Sequence, residues 1–327
     1  MRTTEAGSPT GPLPSSSPKK GRQPRLSRRN VGRSGRWRLS AISLIIALIA
    51  VLGAGLLLFP TVVSWFSQYE QSQRIDGLTD DVADLSASTL QRKLDQARDY
   101  NARIAGGGAN ILANERLPLA DQPEQDGDYE SILSVDEAGL MGRLKIPSIQ
   151  LDLPISHGTS STVLEHGVGH LEGTAVPVGG AHTHSVLTAH RGLATSELFT
   201  HLDRVQLDDT FVVEVLGEVL TYRVIDSRVV EPSETESLFP VEGKDLITLV
   251  TCTPLGVNSH RILVTGERVI PTPSGDLDAA GQRPEIPTFP WWALIAAGVL
   301  LTAIVYVWLS GRPPRTTVSS RGSAAED

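Results

Sequence analysis

The sequence predicts a mostly β domain, a closed barrel or a sandwich, carried between two membrane-spanning helices. Three observations point there. Seven short runs of β-branched and aliphatic residues, bounded by Gly, Pro, Asn and Asp, fall between residues 140 and 269, and short strands with turn signals at that spacing argue for a barrel or sandwich. Two stretches, 39–59 and 290–309, hold no charged residue and are long enough to cross roughly 30 Å of hydrocarbon. Charge is also segregated. Residues 1–38 carry ten Lys and Arg against Glu5 alone, and residues 310–327 carry three Arg against two acids. A chain of net charge −8 therefore leaves −18 for residues 39–309.

Taken in order, residues 1–38 read as a basic tail, rich in Ser, Pro and Gly and without apolar periodicity, so it is expected to be disordered and to set topology. The span at 39–59 is too long for the apolar core of a signal peptide and no small-residue cleavage site follows it, so an uncleaved anchor is expected. Basic residues before the first span and Arg312 and Arg315 after the second place both termini in the cytoplasm and the acidic middle outside. Residues 60–114 form a helical stalk, with Ile75, Leu78, Val82, Leu85, Leu90, Leu94, Ala97 and Ile104 spaced by threes and fours until Gly106-Gly107-Gly108. Residues 115–130, polar and aperiodic, read as a long loop of the kind that serves as a lid or a linker.

Strands are expected at 140–146, 149–155, 185–189, 210–216, 218–225, 246–252 and 261–269, with a tight turn at Leu216-Gly217 and short helices at 161–165 and 196–202. The β domain occupies 131–270. A Pro-rich linker at 271–289 leads to the second span, whose Trp291, Trp292, Tyr306 and Trp308 mark the membrane interfaces. A short tail, 310–327, follows.

Cys252 is the only cysteine, so no disulfide forms within the chain. It stands where the strand 246–252 gives way to a loop. A thiol that acts as a nucleophile needs a base or cation nearby, since a free cysteine with a pKa of about 8.5 is mostly protonated at neutral pH. Among eight histidines, His190 is delivered to a strand end in the same way, by Ser185-Val186-Leu187-Thr188-Ala189. A metal site built from His182, His184 and His190 is the competing reading, but no carboxylate or second cysteine accompanies them at a recognisable spacing. The order His190, Cys252 excludes a papain-like arrangement, in which the cysteine comes first.

The region from about Asp128 to Val269 resembles the sortases, and within them the pilus-building class C. The resemblance rests on Thr248-Leu249-Val250-Thr251-Cys252, on Thr183-His184-Ser185-Val186-Leu187-Thr188-Ala189-His190-Arg191-Gly192, and on Asn258-Ser259-His260-Arg261. It implies a closed eight-stranded barrel and a cysteine transpeptidase with no cofactor and no metal-ligating residues assigned, metal dependence being left open. Cys252 would be the nucleophile, His190 the general acid and base, and Arg261 the group that stabilises the oxyanion or substrate. Thr251, Leu249 and Thr188 would line the substrate. The implied partners are surface proteins or pilins with L-P-x-T-G-like signals, an acceptor amine from a pilin lysine or a cell-wall cross-bridge, and the membrane, with no nucleic acid. Wall anchoring is the second reading within the family, and a non-catalytic binding module is the reading outside it. One departure stands out: where class C members often carry an Asp-Pro-aromatic lid motif, this loop has Asp121-Gln122-Pro123 with no aromatic beside it.

Overall fold

The computed structural model describes residues 37–107, 129–135 and 139–312. The lid candidates Asp121 and Pro123 lie outside the described residues, as do most of the loop and of both tails. Eight strands close into one barrel: β1 (Leu140–Ile146), β2 (Leu151–His157), β3 (Val168–His170), β4 (Thr183–Thr188), β5 (Thr210–Val215), β6 (Glu218–Val230), β7 (Asp245–Thr253) and β8 (His260–Arg268), in the order β1-β2-β3-β4-β7-β8-β6-β5. Closure leaves no sheet edge. The sandwich alternative is thereby excluded, and β3 is the strand the sequence hides: its three residues, Val-Gly-His, are too short to show alternation. The predicted helix at 196–202 is instead a 3₁₀ segment, Leu198–Arg204, broken by non-helical backbone at Phe199.

Pairing is antiparallel except for β2 with β3 and β4 with β7, which run parallel. Parallel neighbours need a crossover, and the one from β4 to β7 is made by the entire β5-β6 hairpin. That hairpin turns on Leu216 and Gly217, both with positive φ (48° and 83°), the type I′ geometry that matches strand twist. The main core fills the barrel with Leu144, Ile155, Leu187, Phe199, Phe211, Tyr222, Ile247, Leu249 and Val264, and Phe211 stacks on Tyr222 at 5.5 Å.

The two long apolar helices are α1 (Ala41–Asp84) and α5 (Trp291–Ser310), the second preceded by the short α4 (Ser274–Asp278), and both are long and apolar enough to cross a bilayer. α1 does not stop at the predicted end of the span: it continues through Pro60 into the stalk. A proline cancels one intrahelical hydrogen bond, a loss that other groups can make good in a spanning helix. Trp37, just before α1, donates its indole N–H to Trp308 O of α5 (3.1 Å), and Trp65 of α1 donates to Thr288 O just before α5 (2.8 Å). Past the apolar stretch, Gln71, Ser72, Ile75 and Leu78 are buried at helical spacing. α2 (Ala87–Gly107) buries Leu94, Ala97 and Tyr100, and Asn101 of this helix pairs with both backbone groups of Val176.

Candidate active site

β7 carries Cys252 next to its last residue, and the register with β8 sets Cys252 directly opposite Arg261. On the other flank β4 runs parallel to β7, with Thr188 beside Val250. The ladder extends one step: Ala189 N donates to Val250 O (3.2 Å) and Thr251 Oγ1 donates to Ala189 O (2.8 Å). His190 lies two residues beyond Thr188 and Cys252 two beyond Val250, so continuing the same register past the end of β4 would set His190 beside Cys252. In-register neighbours share a face of the sheet, which places the three residues on one face at the ends of three adjacent strands.

That face is not the barrel interior. Along it, Val186, Val250 and Leu263 join Leu238 in a second, smaller apolar cluster flanked by Leu171 and Val230. Leu249 alternates to the other side, is wholly buried and packs in the main core. The expectation that Leu249 lines the substrate is therefore corrected: strand alternation turns it away from the site. Thr188 and Thr251 have buried hydroxyls that donate to Val250 O and Ala189 O, and so brace the strand ends. Thr248 accepts or donates toward His184 Nε2 (2.7 Å) and Thr265 Oγ1 (2.8 Å), a polar chain across three strands of the same sheet.

Histidine environments separate structural from available rings. Both ring nitrogens of His157, His170 and His184 are engaged by carbonyl or hydroxyl groups. His184, one of the residues considered for a metal site, is thus occupied by Phe239 O and Thr248 Oγ1. Neither the His190 ring nor the Cys252 thiol has a hydrogen-bond partner among the described residues. Burial lowers the His190 pKa from its ordinary value, opposed by the charge of Glu165 on α3 (Ser161–His166). Burial raises the Cys252 thiol, opposed by the Arg261 cation. Both groups therefore favour their neutral forms. Arg261 is itself 5% exposed, and its Nη1 donates to Asn258 O and His260 O, each at 2.9 Å. Its Nε is buried with no acceptor among the described residues. A buried guanidinium N–H without a partner is costly, and here it belongs to the residue facing the thiol.

Three residues the motif reading did not single out complete the surroundings. Arg191, Thr253 and Ser196 tie the segment after His190 to its neighbours: Arg191 to Thr253 and Asp203, and Ser196 to Ser67 and Gln71 of α1. Arg191 was visible as the neighbour of His190. Ser196 carried no signal, because its partners lie more than a hundred residues earlier in the chain.

A closed barrel that presents a thiol, an imidazole and a guanidinium on three adjacent strand ends is the layout of a thiol-dependent enzyme. Comparison with known proteins makes this specific. The sortase domain family matches residues 144–269. Sortase A of Streptococcus agalactiae is 30% identical over 145 residues, covering 42% of this chain and 58% of its own length. Sortase SrtE1 of Streptomyces coelicolor is 33% identical over 140 residues, covering 38% of this chain and 39% of its own. The chain spans about three fifths of the length of the curated relatives it matches first. Among solved structures, sortase C-1 of Actinomyces oris is 47% identical with a TM-score of 0.50, covering 56% of this chain and 98% of that one. Sortase C-1 of Streptococcus pneumoniae is 35% identical with a TM-score of 0.55, covering 61% and 100%. The chain belongs to the sortase family, and its similarity to sortase C structures supports class C.

Proposed function

We propose that this protein is a membrane-anchored cysteine transpeptidase that joins pilin subunits. α1 and α5 are the two spans, both termini lie in the cytoplasm and the barrel, residues 131–270, faces outward. At a rise of 1.5 Å per residue the 44 residues of α1 extend about 66 Å, enough to cross the bilayer and still reach the barrel as a stalk.

Cys252 Sγ attacks the carbonyl carbon of the Thr-Gly bond in an L-P-x-T-G-like signal. His190 takes the thiol proton as the bond to sulfur forms, the C–N bond breaks to leave a thioester, and His190 passes that proton to the leaving amine. His190 then takes a proton from the incoming amine as that nitrogen attacks the thioester, and the thiol is released. Arg261 supplies the charge that meets the developing oxyanion, which its unsatisfied Nε is free to do. Because both Cys252 and His190 favour neutral forms, the thiolate–imidazolium pair is a minor species in the free enzyme, and substrate binding and the Arg261 charge draw on it. The loop at 115–130 would serve as a lid over this face.

The observation that carries the reading is the convergence on one face of three groups left unspent among the described residues: a thiol and a ring without partners, and a buried guanidinium N–H without an acceptor. The pilin assignment draws on relatives such as the sortase C1 of a Streptococcus agalactiae pilus island, 40% identical with a TM-score of 0.54. A competition assay separates it from wall anchoring. The purified full chain receives a sorting-signal peptide with equal amounts of a pilin-lysine peptide and a cell-wall cross-bridge amine. Isopeptide product on the lysine is expected; product confined to the cross-bridge amine would assign the enzyme to wall anchoring.

A further inference from the structure

The last backbone tie between the strand bearing His190 and the strand bearing Cys252 is Ala189 N to Val250 O. Beyond Thr251 Oγ1 to Ala189 O, a single hydrogen bond joins the two segments among the described residues, and it starts from the residue next to His190 and ends on the residue next to Cys252. Arg191 Nη1 donates to Thr253 Oγ1 at 3.0 Å. The same guanidinium donates from Nε to Thr200 O at 3.1 Å and pairs from Nη2 with Asp203 at 2.9 Å. Its side chain is 9% exposed. Three acceptors in three directions fix a planar fork in a way that a point charge cannot.

Neighbouring contacts reinforce the link. His190 O accepts from Phe199 N at 3.0 Å, and Gly192 N donates to Thr200 Oγ1 at 3.0 Å. Gly192 has φ of 75°, and the Leu255 side chain occupies the space where a Cβ at that position would stand. The segment after the histidine and the segment after the cysteine are thus interlocked, with Arg191 as the polar bolt. Each of the three nitrogens of the Arg191 fork is engaged by protein, which suits a side chain that holds two segments together.

We propose that Arg191, acting through Thr253, is a positioning residue that fixes the His190 ring relative to the Cys252 thiol. The proposal rests on the reading of Cys252 and His190 as the reacting pair. Misplacing a proton donor relative to a nucleophile costs rate in the chemical step and leaves ground-state binding intact.

The test is steady-state acyl transfer by the full chain in detergent micelles, with a sorting-signal peptide and a lysine acceptor. Thr253→Val replaces the hydroxyl with a methyl of similar size, and Arg191→Lys keeps the charge but loses the fork. Each is expected to lower kcat about tenfold to hundredfold, the scale of a hydrogen bond to a charged group, with KM for the signal peptide unchanged. Thr253→Ser should restore kcat, and the double variant Arg191→Lys/Thr253→Val should be no slower than the worse single variant. Wild-type kcat in Thr253→Val, a loss that falls on KM, or losses that multiply in the double variant would each overturn the proposal. Should Arg191→Lys fail to fold, the Thr253→Val and Thr253→Ser pair decides alone. Failure of the underlying reading is distinguishable, because the wild-type chain itself would then form no product.

Discussion

His170 offers a sharp check on the fold, because an ionisable ring has been sealed in the barrel wall. It is 0% exposed, its Nε2 donates to Ala175 O, and its Nδ1 lies 2.7 Å from the Tyr129 hydroxyl, which also reaches His170 O at 3.1 Å. Burial, aided by the neighbouring His157, holds its pKa down to about 4 from 6.5. An unfolded chain accepts a proton here near pH 6.5, whereas the folded chain declines it until pH reaches about 4. The unfolded state therefore binds the extra proton within that window, so stability is complete above pH 6.5 and drains away as pH falls toward 4. At roughly 1.4 kcal/mol per pKa unit, the loss attributable to this residue is about 3 kcal/mol.

The assay is urea unfolding at a series of pH values, comparing wild type with His170→Asn, whose amide keeps one donor and one acceptor. All five tryptophans lie at positions 37, 65, 291, 292 and 308, outside the barrel, so circular dichroism of the sheet is the appropriate signal in place of tryptophan fluorescence. The variant is expected to start less stable at pH 7 and to lack about 3 kcal/mol of the acid-side decline seen in wild type. Parallel pH profiles for the two proteins would refute the claim that His170 is buried and neutral.

Other outcomes follow from the same contacts. Asn101→Ala strips two hydrogen bonds from the backbone of Val176 in a buried setting and should cost about 2–4 kcal/mol, read as a lowered urea midpoint, because two backbone groups are left unsatisfied. Gly266→Ala places a methyl against the Phe211 ring and the Tyr222 Cβ, and should destabilise the barrel by about 1–3 kcal/mol in the same assay. For the chemistry, kcat/KM should follow a bell in pH, its acid limb below the ordinary histidine value of 6.5 and its alkaline limb above the ordinary cysteine value of 9.0. Arg261→Gln removes the cation that opposes burial at the thiol, so the alkaline limb should move further up.

How much of this was legible in the sequence depends on the range of the interaction. Local alternation and turn chemistry disclosed seven of the eight strands, and Leu140–Ile146 is found at the bounds expected for it. The hairpin at Leu216-Gly217 followed from the same local rules. β3 escaped because Val168–His170 is held by its neighbours' ladders and by the His170 bonds, not by its own pattern. The continuity of α1 was hidden by Pro60, a helix breaker whose cost the chain absorbs. In the site, the pairing of Cys252 with Arg261 across β7 and β8 was implicit in their strand positions. The misplacement of Leu249 shows the opposite case, since a motif names consecutive residues while a strand sends alternate ones to opposite faces. Arg191–Thr253 and Ser196–Gln71 are contacts between segments far apart in sequence, which no local pattern encodes.

The central claim is that Cys252 becomes acylated by a sorting signal. The direct measurement is intact-protein mass spectrometry of the full chain after brief exposure to an L-P-x-T-G-like peptide without an acceptor amine. A mass increase equal to the peptide up to its threonine, mapped to Cys252, released by hydroxylamine and absent from Cys252→Ala, is the predicted result. An unmodified Cys252, or an adduct that persists in Cys252→Ala, would contradict it.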